Sequence, residues 1–209
     1  MSDSAKDDRS TSGRQATIDR ETAETKIHVA LNIDGSGLAD ISTGLGFFDH
    51  MLDAFTRHGR FDLTVKAVGD LEVDAHHTME DTALAIGQAF NEALGSRVGI
   101  VRMGDACVPL DEALVQVVVD ISGRPFASTN FDFVGRQIGE VPTEMVPHVL
   151  SSFATGARLT LHVRQLEGAN DHHIVESAMK ALGRSLDFAV RIDDRILGDV
   201  PSTKGTLTV

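Results

Sequence analysis

The sequence predicts an α+β fold built from two copies of one β-β-α-β-α unit, each a sheet with two helices packed on one face. Three observations predict it. Strand-like alternation and helix-like apolar spacing occur in the same order twice along the 209-residue chain. A His-His-x-x-Glu motif occurs at residues 76–80 and again at residues 172–176. A third histidine, His50, occupies the same place in the first copy as His148 does in the second.

In the first half, apolar residues alternate with polar ones from Thr25 to Ile33, which predicts a half-buried strand. The Asp-Gly-Ser-Gly run at residues 34–37 is a turn, so a hairpin is expected here. The elements predicted for this half are strands over residues 25–33 and 38–41, a helix over 46–58, a strand over 61–65 and a helix over 75–94.

The second half repeats this order after a glycine-rich link over residues 95–104. Its predicted elements are strands over residues 114–121 and 126–133, a helix over 143–157, a strand over 159–163 and a helix over 171–190. The resulting organisation is a disordered N-terminal tail over residues 1–16, a first half-repeat over 17–104, a second half-repeat over 105–195 and a C-terminal tail over 196–209.

Composition and charge limit the kinds of molecule that the protein is expected to bind. The formal net charge of −12 argues against nucleic acid or an anionic membrane surface as a partner. Cys107 is the only cysteine, so neither an intrachain disulfide nor a thiolate metal cluster is expected. The polar start of the chain has no apolar segment typical of a secretory signal, and cytoplasmic localisation is expected.

The repeated motif indicates a metal site. On a helix the glutamate lies on the same face as both histidines, while the two histidines diverge by roughly 100°. Imidazole and carboxylate suit Mn, Fe, Zn or Ni, and eight candidate ligands divide evenly into two sites of three histidines and one glutamate. Such sites leave coordination positions open for a substrate. The candidate ligands are His50, His76, His77, Glu80, His148, His172, His173 and Glu176.

Several motifs give the sequence a resemblance to the imidazoleglycerol-phosphate dehydratase family, over about residues 16–205. These motifs are Phe-Asp-His-Met-Leu at 48–52, Gly-Asp at 69–70, Asp-Ala-His-His-Thr-Met-Glu-Asp at 74–81, Asp-Glu-Ala at 111–113, Ser-Gly-Arg-Pro at 122–125, the second His-His-x-x-Glu and Pro-Ser-Thr-Lys-Gly at 201–205. The resemblance implies dehydration of D-erythro-imidazoleglycerol phosphate to imidazoleacetol phosphate and water in histidine biosynthesis, through a metal-bound imidazolate. It also implies two Mn²⁺ per active site and a homo-oligomer of about 24 subunits, with active sites between subunits.

The resemblance assigns residues to roles. One metal would take His76, His148, His172 and Glu176, and the other would take His50, His77, Glu80 and His173. Catalytic roles fall to Glu24 as acid and base, Lys180, His50 and His77. Substrate binding falls to Arg102, Arg124, Ser202, Lys204 and Asp111, which makes residues 196–209 a phosphate-binding tail. Ala54 departs from the glutamine that many family members carry at its position.

Two other functions use the same repeated motif. A metal-storage or metal-sensing protein would bind metal without needing Glu24 or a set of phosphate-binding cations. A dinuclear metallohydrolase, such as a phosphatase, would release free phosphate in place of a ketone. Those sites usually contain a bridging carboxylate, whereas histidine outnumbers glutamate three to one here.

Overall fold

A computed structural model describes residues 13–207. Residues 1–12 of the expected N-terminal tail and residues 208–209 of the C-terminal tail lie outside the described residues. The strands are β1 (Gln15–Glu21), β2 (Thr25–Asn32), β3 (Ala39–Ser42), β4 (Asp62–Gly69), β5 (Met103–Leu110), β6 (Ala113–Asp120), β7 (Phe126–Asn130), β8 (Gln137–Ile138), β9 (Val141–Pro142) and β10 (Thr160–Glu167). The helices are α1 (Gly46–Gly59), α2 (His76–Leu94), α3 (Met145–Ala157) and α4 (Asp171–Ala189), followed by a 3₁₀ turn at Asp194–Ile196.

The two halves form two sheets of the same topology, which confirms the predicted α+β class and its duplication. Within residues 13–207, the first sheet has the order β1-β2-β4-β3 and the second the order β5-β6-β10-β7. In each sheet the outermost pair, β3 with β4 or β7 with β10, is parallel and the other pairs are antiparallel. Alternate residues of the central strands are buried against the helices, so each sheet has one covered and one open face.

Each four-stranded sheet has one strand more than predicted, and the second half also contains the short pair β8 and β9. β1 and β5 lie at the edges of their sheets and precede the strands that the alternation identified. β1 buries only Ile18 among its seven residues, and β5 contains Gly104 and Pro109. The alternation of apolar residues is therefore weak in both, as is usual for edge strands.

The predicted hairpin between residues 25–33 and 38–41 is wrong. β3 pairs in parallel with β4, which lies between β3 and β2. The turn residues dock on the start of β4, where Asp62 Oδ1 accepts hydrogen bonds from the backbone N–H of Ser36 at 2.8 Å and of Leu38 at 3.0 Å. Alternation identifies a strand but does not show which neighbour it pairs with.

The four helices pair across the two halves. α1 of the first half packs on α4 of the second, and α2 packs on α3. Glycine permits the close approach: a Cβ atom on Gly87 of α2 would collide with the carbonyl oxygen of Phe153 and lie 2.7 Å from the backbone nitrogen of Ala157. A Cβ on Gly183 of α4 would lie 2.8 Å from the backbone nitrogen of Gly59. The helix backbones are thus in direct contact at both crossings.

Gly87→Ala tests this packing. We expect the free energy of unfolding to fall by about 1–3 kcal/mol, because the added methyl group meets the backbone of α3 and outweighs the gain of under about 1 kcal/mol in helix propensity. Chemical denaturation measures the change. Gln88→Ala, on the exposed neighbouring position of α2, is the control and should change stability by less than about 0.5 kcal/mol. Equal stability of Gly87→Ala and the parent chain would contradict the close crossing.

Candidate active site

The two copies of the motif sit at the same place on equivalent helices. α2 begins at His76, whose backbone N–H donates to Asp74 Oδ1 at 2.7 Å. At the start of α4, the N–H of His172 donates to Asn170 Oδ1 at 3.0 Å. These short polar side chains satisfy N–H groups that the first turn of a helix leaves unpaired. Both pairs of histidines consequently lie in the first turn of their helices, at a solvent-accessible end.

The first cluster of candidate ligands joins α1 and α4, and we name it the α1/α4 group: His50, His172 and Glu176. Glu176 Oε2 lies 3.2 Å from His50 Nε2 and 3.1 Å from His172 Nε2. His50 comes from the first half and the other two residues come from the second. The cross-half pairing of helices therefore creates the cluster.

The second cluster is the counterpart of the first and joins α2 and α3; we name it the α2/α3 group: His76, Glu80 and His148. Glu80 Oε2 lies 3.2 Å from His76 Nε2 and 3.3 Å from His148 Nε2. His148 Nε2 is buried yet makes no hydrogen bond within residues 13–207. A buried nitrogen of this kind is costly unless something else satisfies it.

The geometry of both groups fits a divalent cation. Ligand bonds of about 2.1 Å place neighbouring donor atoms about 3.0–3.4 Å apart around an octahedral or tetrahedral ion. The observed separations of 3.1–3.3 Å between carboxylate oxygen and imidazole nitrogen lie in this range. A cation in the α2/α3 group would also satisfy the orphaned nitrogen of His148. Each group supplies three ligands, so each leaves positions for a further histidine and for substrate.

Lys180 keeps the carboxylate of Glu176 ionised. Burial alone would raise the pKa of Glu176, but the hydrogen bond and charge of Lys180, together with hydrogen bonds from His50 and His172, lower it to about 2. Lys180 Nζ lies 2.7 Å from Glu176 Oε1, while the other carboxylate oxygen faces the histidines. The carboxylate is therefore available as a metal ligand throughout the neutral range.

The second histidine of each motif faces away from these groups. His77 Nδ1 hydrogen-bonds to Asp70 Oδ2 at 3.0 Å, and His173 Nδ1 hydrogen-bonds to Glu112 Oε2 at 2.8 Å. The bond to Asp70 raises the pKa of His77, and the bond to Glu112 raises that of His173. A histidine that donates through Nδ1 presents Nε2 to a metal.

The grouping within one chain differs from the one that the resemblance implied. The expected sets were His76, His148, His172 and Glu176 for one metal and His50, His77, Glu80 and His173 for the other. The structure instead places His50 with the α4 motif and His148 with the α2 motif, because α1 packs on α4 and α3 on α2. His77 and His173 join neither group of their own chain.

Glu24 lies in the turn between β1 and β2, beside His77. Its Oε2 is 3.8 Å from His77 Nδ1, which is too long for a hydrogen bond. The turn is fixed to α2, because Thr25 Oγ1 donates to Asp81 at 2.6 Å and Arg20 donates to the same carboxylate at 2.8 Å. The turn that carries Glu24 is thus fixed, and the Glu24 carboxylate makes no hydrogen bond within residues 13–207.

Arg102 belongs to a separate cluster at the C-terminal segment. Its guanidinium binds both oxygens of Asp120, at 2.7 and 3.0 Å, and donates to the carbonyl of Pro201 at 2.8 Å. Arg97, which is buried, donates to the carbonyl of Leu207. The segment between these two anchors contains Ser202 and Lys204, where Ser202 Oγ accepts from the N–H of Lys204 at 3.2 Å.

The remaining predicted substrate-binding residues lie in two places. Arg124 is exposed in the turn after β6, and this turn contacts the C-terminal segment at Leu207. Arg124 therefore follows a residue that contacts the C-terminal segment at Leu207. Asp111 is exposed in the turn between β5 and β6, and its charge helps raise the pKa of His173. It therefore lies near the start of α4.

The cationic cluster and the α1/α4 group of candidate ligands are far apart within one chain. The N–H of Arg102 donates to the carbonyl of Ala189 at the end of α4, whereas His172 is at its start. At 1.5 Å per residue, these ends are about 25 Å apart. β6 gives a similar length of about 23 Å between Ala113, next to Glu112, and Asp120, which binds Arg102. One small molecule cannot reach both sites of the same chain.

Sequence reasoning missed the roles of Asp70 and Glu112. Both lie in motifs that the sequence analysis identified, Gly-Asp at 69–70 and Asp-Glu-Ala at 111–113. The acidic residues in these motifs were the available signal for a partner of the histidines. For Glu112, however, the histidine partner is distant in the sequence. Only the contact between the β5–β6 turn and the start of α4 reveals that partner.

Comparison with known proteins places the chain in a family. Residues 43–186 match the family model described as imidazoleglycerol-phosphate dehydratase. The chain is 55% identical over 196 residues to the imidazoleglycerol-phosphate dehydratase of Roseiflexus sp. strain RS-1. The matched residues make up 94% of this chain and 98% of that relative. The chain belongs to the imidazoleglycerol-phosphate dehydratase family. Family membership confirms the expected class of enzyme, a hydro-lyase.

Other members of the family agree in sequence and fold. The imidazoleglycerol-phosphate dehydratase of Chloroflexus aurantiacus is 52% identical over 194 residues, covering 93% of this chain and 95% of the relative. The crystal structure of the Staphylococcus aureus enzyme matches with a TM-score of 0.78 and 35% identity, over 86% of this chain and 99% of that one. The Pyrococcus furiosus enzyme, solved in complex with (S)-C348, gives the same TM-score and identity over 90% and 99%.

Lys180→Met tests the electrostatics of Glu176. Removing the ammonium should move the pKa of Glu176 upwards from about 2, because burial then raises it with less opposition. An NMR pH titration of metal-free protein with ¹³C-labelled glutamate measures the shift. Lys180→Arg, which retains a cation, is the matched control and should keep the pKa low. An unchanged pKa in Lys180→Met would show that the histidines alone hold the carboxylate ionised.

Proposed function

We propose that this protein catalyses the dehydration of D-erythro-imidazoleglycerol phosphate to imidazoleacetol phosphate and water, a step of histidine biosynthesis. The observation that carries the proposal is the pair of equivalent His-Glu-His groups in a chain of this family. A duplicated metal centre with open positions suits a reaction in which two cations act on one substrate. The nearby carboxylate of Glu24, which makes no hydrogen bond within residues 13–207, supplies a group for proton transfer.

The proposed cofactor is Mn²⁺, two per active site. The α1/α4 and α2/α3 groups would each hold one ion, and a second motif histidine, His77 or His173, would complete each coordination shell. Support comes from the donor separations and from the orphaned Nε2 of His148. Imidazole and carboxylate ligands suit Mn²⁺ among the divalent metals of this class.

The reaction requires removal of a carbon-bound proton with no carbonyl group beside it. Two bound cations would supply the Lewis acidity that lets the imidazole ring of the substrate accept the electron pair left by that proton. The carboxylate of Glu24 would take the proton; its position 3.8 Å from His77 Nδ1 and its lack of a hydrogen bond within the described residues support this role. Loss of the hydroxyl group as water then gives an enol, which becomes the ketone. Lys180 acts at the same site and keeps Glu176 ionised, while His50 and His77 would hold the cations.

Arg102, Arg124, Ser202 and Lys204 would bind the phosphate of the substrate. Arginine can bind two phosphate oxygens at once, and Lys204 adds a further positive charge. Asp111 lies near His173 and would contact the other end of the substrate. Because Arg102 already binds Asp120 through both nitrogens of its fork, its role includes fixing the C-terminal segment at Pro201.

The proposed active site lies between subunits. The cationic cluster is about 25 Å from the α1/α4 group of the same chain, so a substrate held at both must contact more than one copy. His77 and His173 also face away from the groups of their own chain, which fits donation to a neighbouring copy. We therefore propose a homo-oligomer, of about 24 subunits as the family resemblance implies.

The proposed partners are a small phosphate substrate and further copies of the chain, with neither nucleic acid nor membrane. The net charge of −12 supports this proposal, because it disfavours polyanionic partners. Among residues 13–207, no helix combines the length and the apolar character needed to cross a bilayer. Cytoplasmic localisation remains part of the proposal.

Turnover of imidazoleglycerol phosphate tests the proposed function. Mn²⁺-loaded protein should form the enol and ketone product, whereas chelator-treated protein should not. Glu176→Gln should lower turnover by at least about 100-fold, because it removes an anionic ligand of one group. A spectrophotometric assay for the ketone, with a parallel assay for free phosphate, measures both outcomes.

The same experiment discriminates the alternatives. Tight Mn²⁺ binding without product would favour a storage or sensing protein. Release of free phosphate would favour a metallohydrolase. Either result would overturn the proposed dehydration.

Complementation tests whether sites are shared between subunits. His50→Ala and His77→Ala should each be inactive alone, because each removes a ligand. After dissociation and joint reassembly, the mixture should regain part of the activity, since some sites then combine an intact His50 from one chain with an intact His77 from another. Reassembly of each variant by itself is the control. No recovery in a mixed oligomer would mean that both residues serve a site within one chain.

A further inference from the structure

The turns before β2 and β6 are equivalent parts of the duplicated fold. In the first sheet Val29 lies opposite Val65, and in the second sheet Val117 lies opposite Val163. Superposing these pairs places residue 24 on residue 112, immediately before the strand in each half. Glu24 and Glu112 are therefore counterparts in the two repeats, as are His77 and His173.

Each of these glutamates faces the Nδ1 atom of the corresponding histidine, but at different distances. Glu112 Oε2 lies 2.8 Å from His173 Nδ1 and forms a hydrogen bond. Glu24 Oε2 lies 3.8 Å from His77 Nδ1 and forms none. The duplicated pairs have therefore diverged in their interactions although they retain their positions.

The cause of the divergence is Asp70. This aspartate follows β4 and takes the hydrogen bond of His77 Nδ1 at 3.0 Å. A β-bulge between Gln165 and Glu167 shifts the register of β10 by one residue, so Gly69 corresponds to Gly168 and Asp70 corresponds to Ala169 in the second half. Ala169 has no side-chain group that can accept the Nδ1 proton of His173, so Glu112 makes that hydrogen bond in the second half.

Glu112 is fully engaged by contrast with Glu24. Its Oε1 accepts hydrogen bonds from the backbone N–H of Ala169 at 3.3 Å and of Asn170 at 2.9 Å. Its Oε2 binds His173. Glu112 thus connects the β5–β6 turn to the start of α4, and neither of its oxygens is available for proton transfer.

We propose that Asp70 and Glu112 are the positioning residues for His77 and His173, and that Asp70 frees Glu24, the first-half counterpart of Glu112, for chemistry. Each positioning carboxylate accepts the Nδ1 proton, which fixes the ring and presents Nε2 to a cation. Only one of the two duplicated glutamates can then act as acid and base. This inference deepens the proposed function and rests on it for the role of Glu24.

Mn²⁺ binding to the full-length assembled protein without substrate tests the positioning roles. The EPR signal of free Mn²⁺ reports the affinity. Glu112→Ala should weaken binding by about 10- to 100-fold, as losses of carboxylates that orient ligating histidines do. Glu72→Ala removes an exposed carboxylate from the loop before α2 and should bind as the parent chain does. Glu112→Gln retains one oxygen acceptor, so it should lose less affinity and serves if the alanine variant does not fold.

A double-mutant cycle tests the release of Glu24. In Asp70→Ala, Glu24 can move the short distance to His77 and replace the lost acceptor. We therefore expect a smaller loss of Mn²⁺ affinity than in Glu112→Ala, together with a fall in kcat because Glu24 is diverted. Glu24→Gln alone should lower kcat and leave Mn²⁺ affinity unchanged. The double variant Asp70→Ala/Glu24→Gln should lose the affinity that Asp70→Ala retains.

Two results would overturn the inference. One is Mn²⁺ binding of parental strength in both Glu112 variants. The other is a loss of affinity on Asp70→Ala that is the same with and without Glu24. Because binding is measured without substrate, it is separate from the test of dehydration: the expected order of Mn²⁺ affinities in a protein without turnover would support the positioning roles and overturn only the proposed reaction.

Discussion

The close crossing of helices from opposite halves is the constraint on which the site depends. Gly87 and Gly183 let the backbones of α2 and α4 touch those of α3 and α1. Each cluster of ligands takes one histidine from one half and a His-Glu pair from the other, so the clusters exist only at this crossing. A slip of one helical turn would move His148 by about 5.4 Å and separate it from Glu80. The exact packing of the four helices thus determines the distances between the candidate ligand atoms at the helix ends.

Local sequence patterns predicted the helices and strands whose formation depends mainly on neighbouring residues in the sequence. The four long helices begin and end within two residues of their predicted bounds, because their apolar spacing is strong. The edge strands β1 and β5 were missed, since an edge strand buries little and shows little alternation. The pairing of β3 with β4 depends on contacts of Asp62 with a distant turn, which no short pattern contains. All eight candidate ligands were identifiable from repeated spacing, but their division into groups depends on which helices pack together.

Duplication explains both the likeness and the difference of the two metal groups. A shared ancestor unit accounts for the matched ligands. It also accounts for Asp74 and Asn170, the matched side chains that accept hydrogen bonds from the first turns of α2 and α4. The flanking loops are less constrained, so one carries Asp70 where the other carries Ala169. An asymmetric substrate needs such a difference, because its two ends require different chemistry. The repeat supplies a nearly symmetric frame of candidate metal ligands, and the loops supply the asymmetry.

The anchoring of the C-terminal segment has an entropic consequence. Arg102 holds the carbonyl of Pro201 and Arg97 holds that of Leu207, so residues 202–206 form a short loop fixed at both ends. A free tail would lose conformational freedom at every residue when it bound a phosphate, at roughly 1 kcal/mol or more each. A loop that folding has already closed loses far less. Under the proposed phosphate-binding role of this loop, substitutions at Arg97 would therefore weaken binding by freeing the unbound loop, because Arg97 is buried and its contact with the segment is through the carbonyl of Leu207.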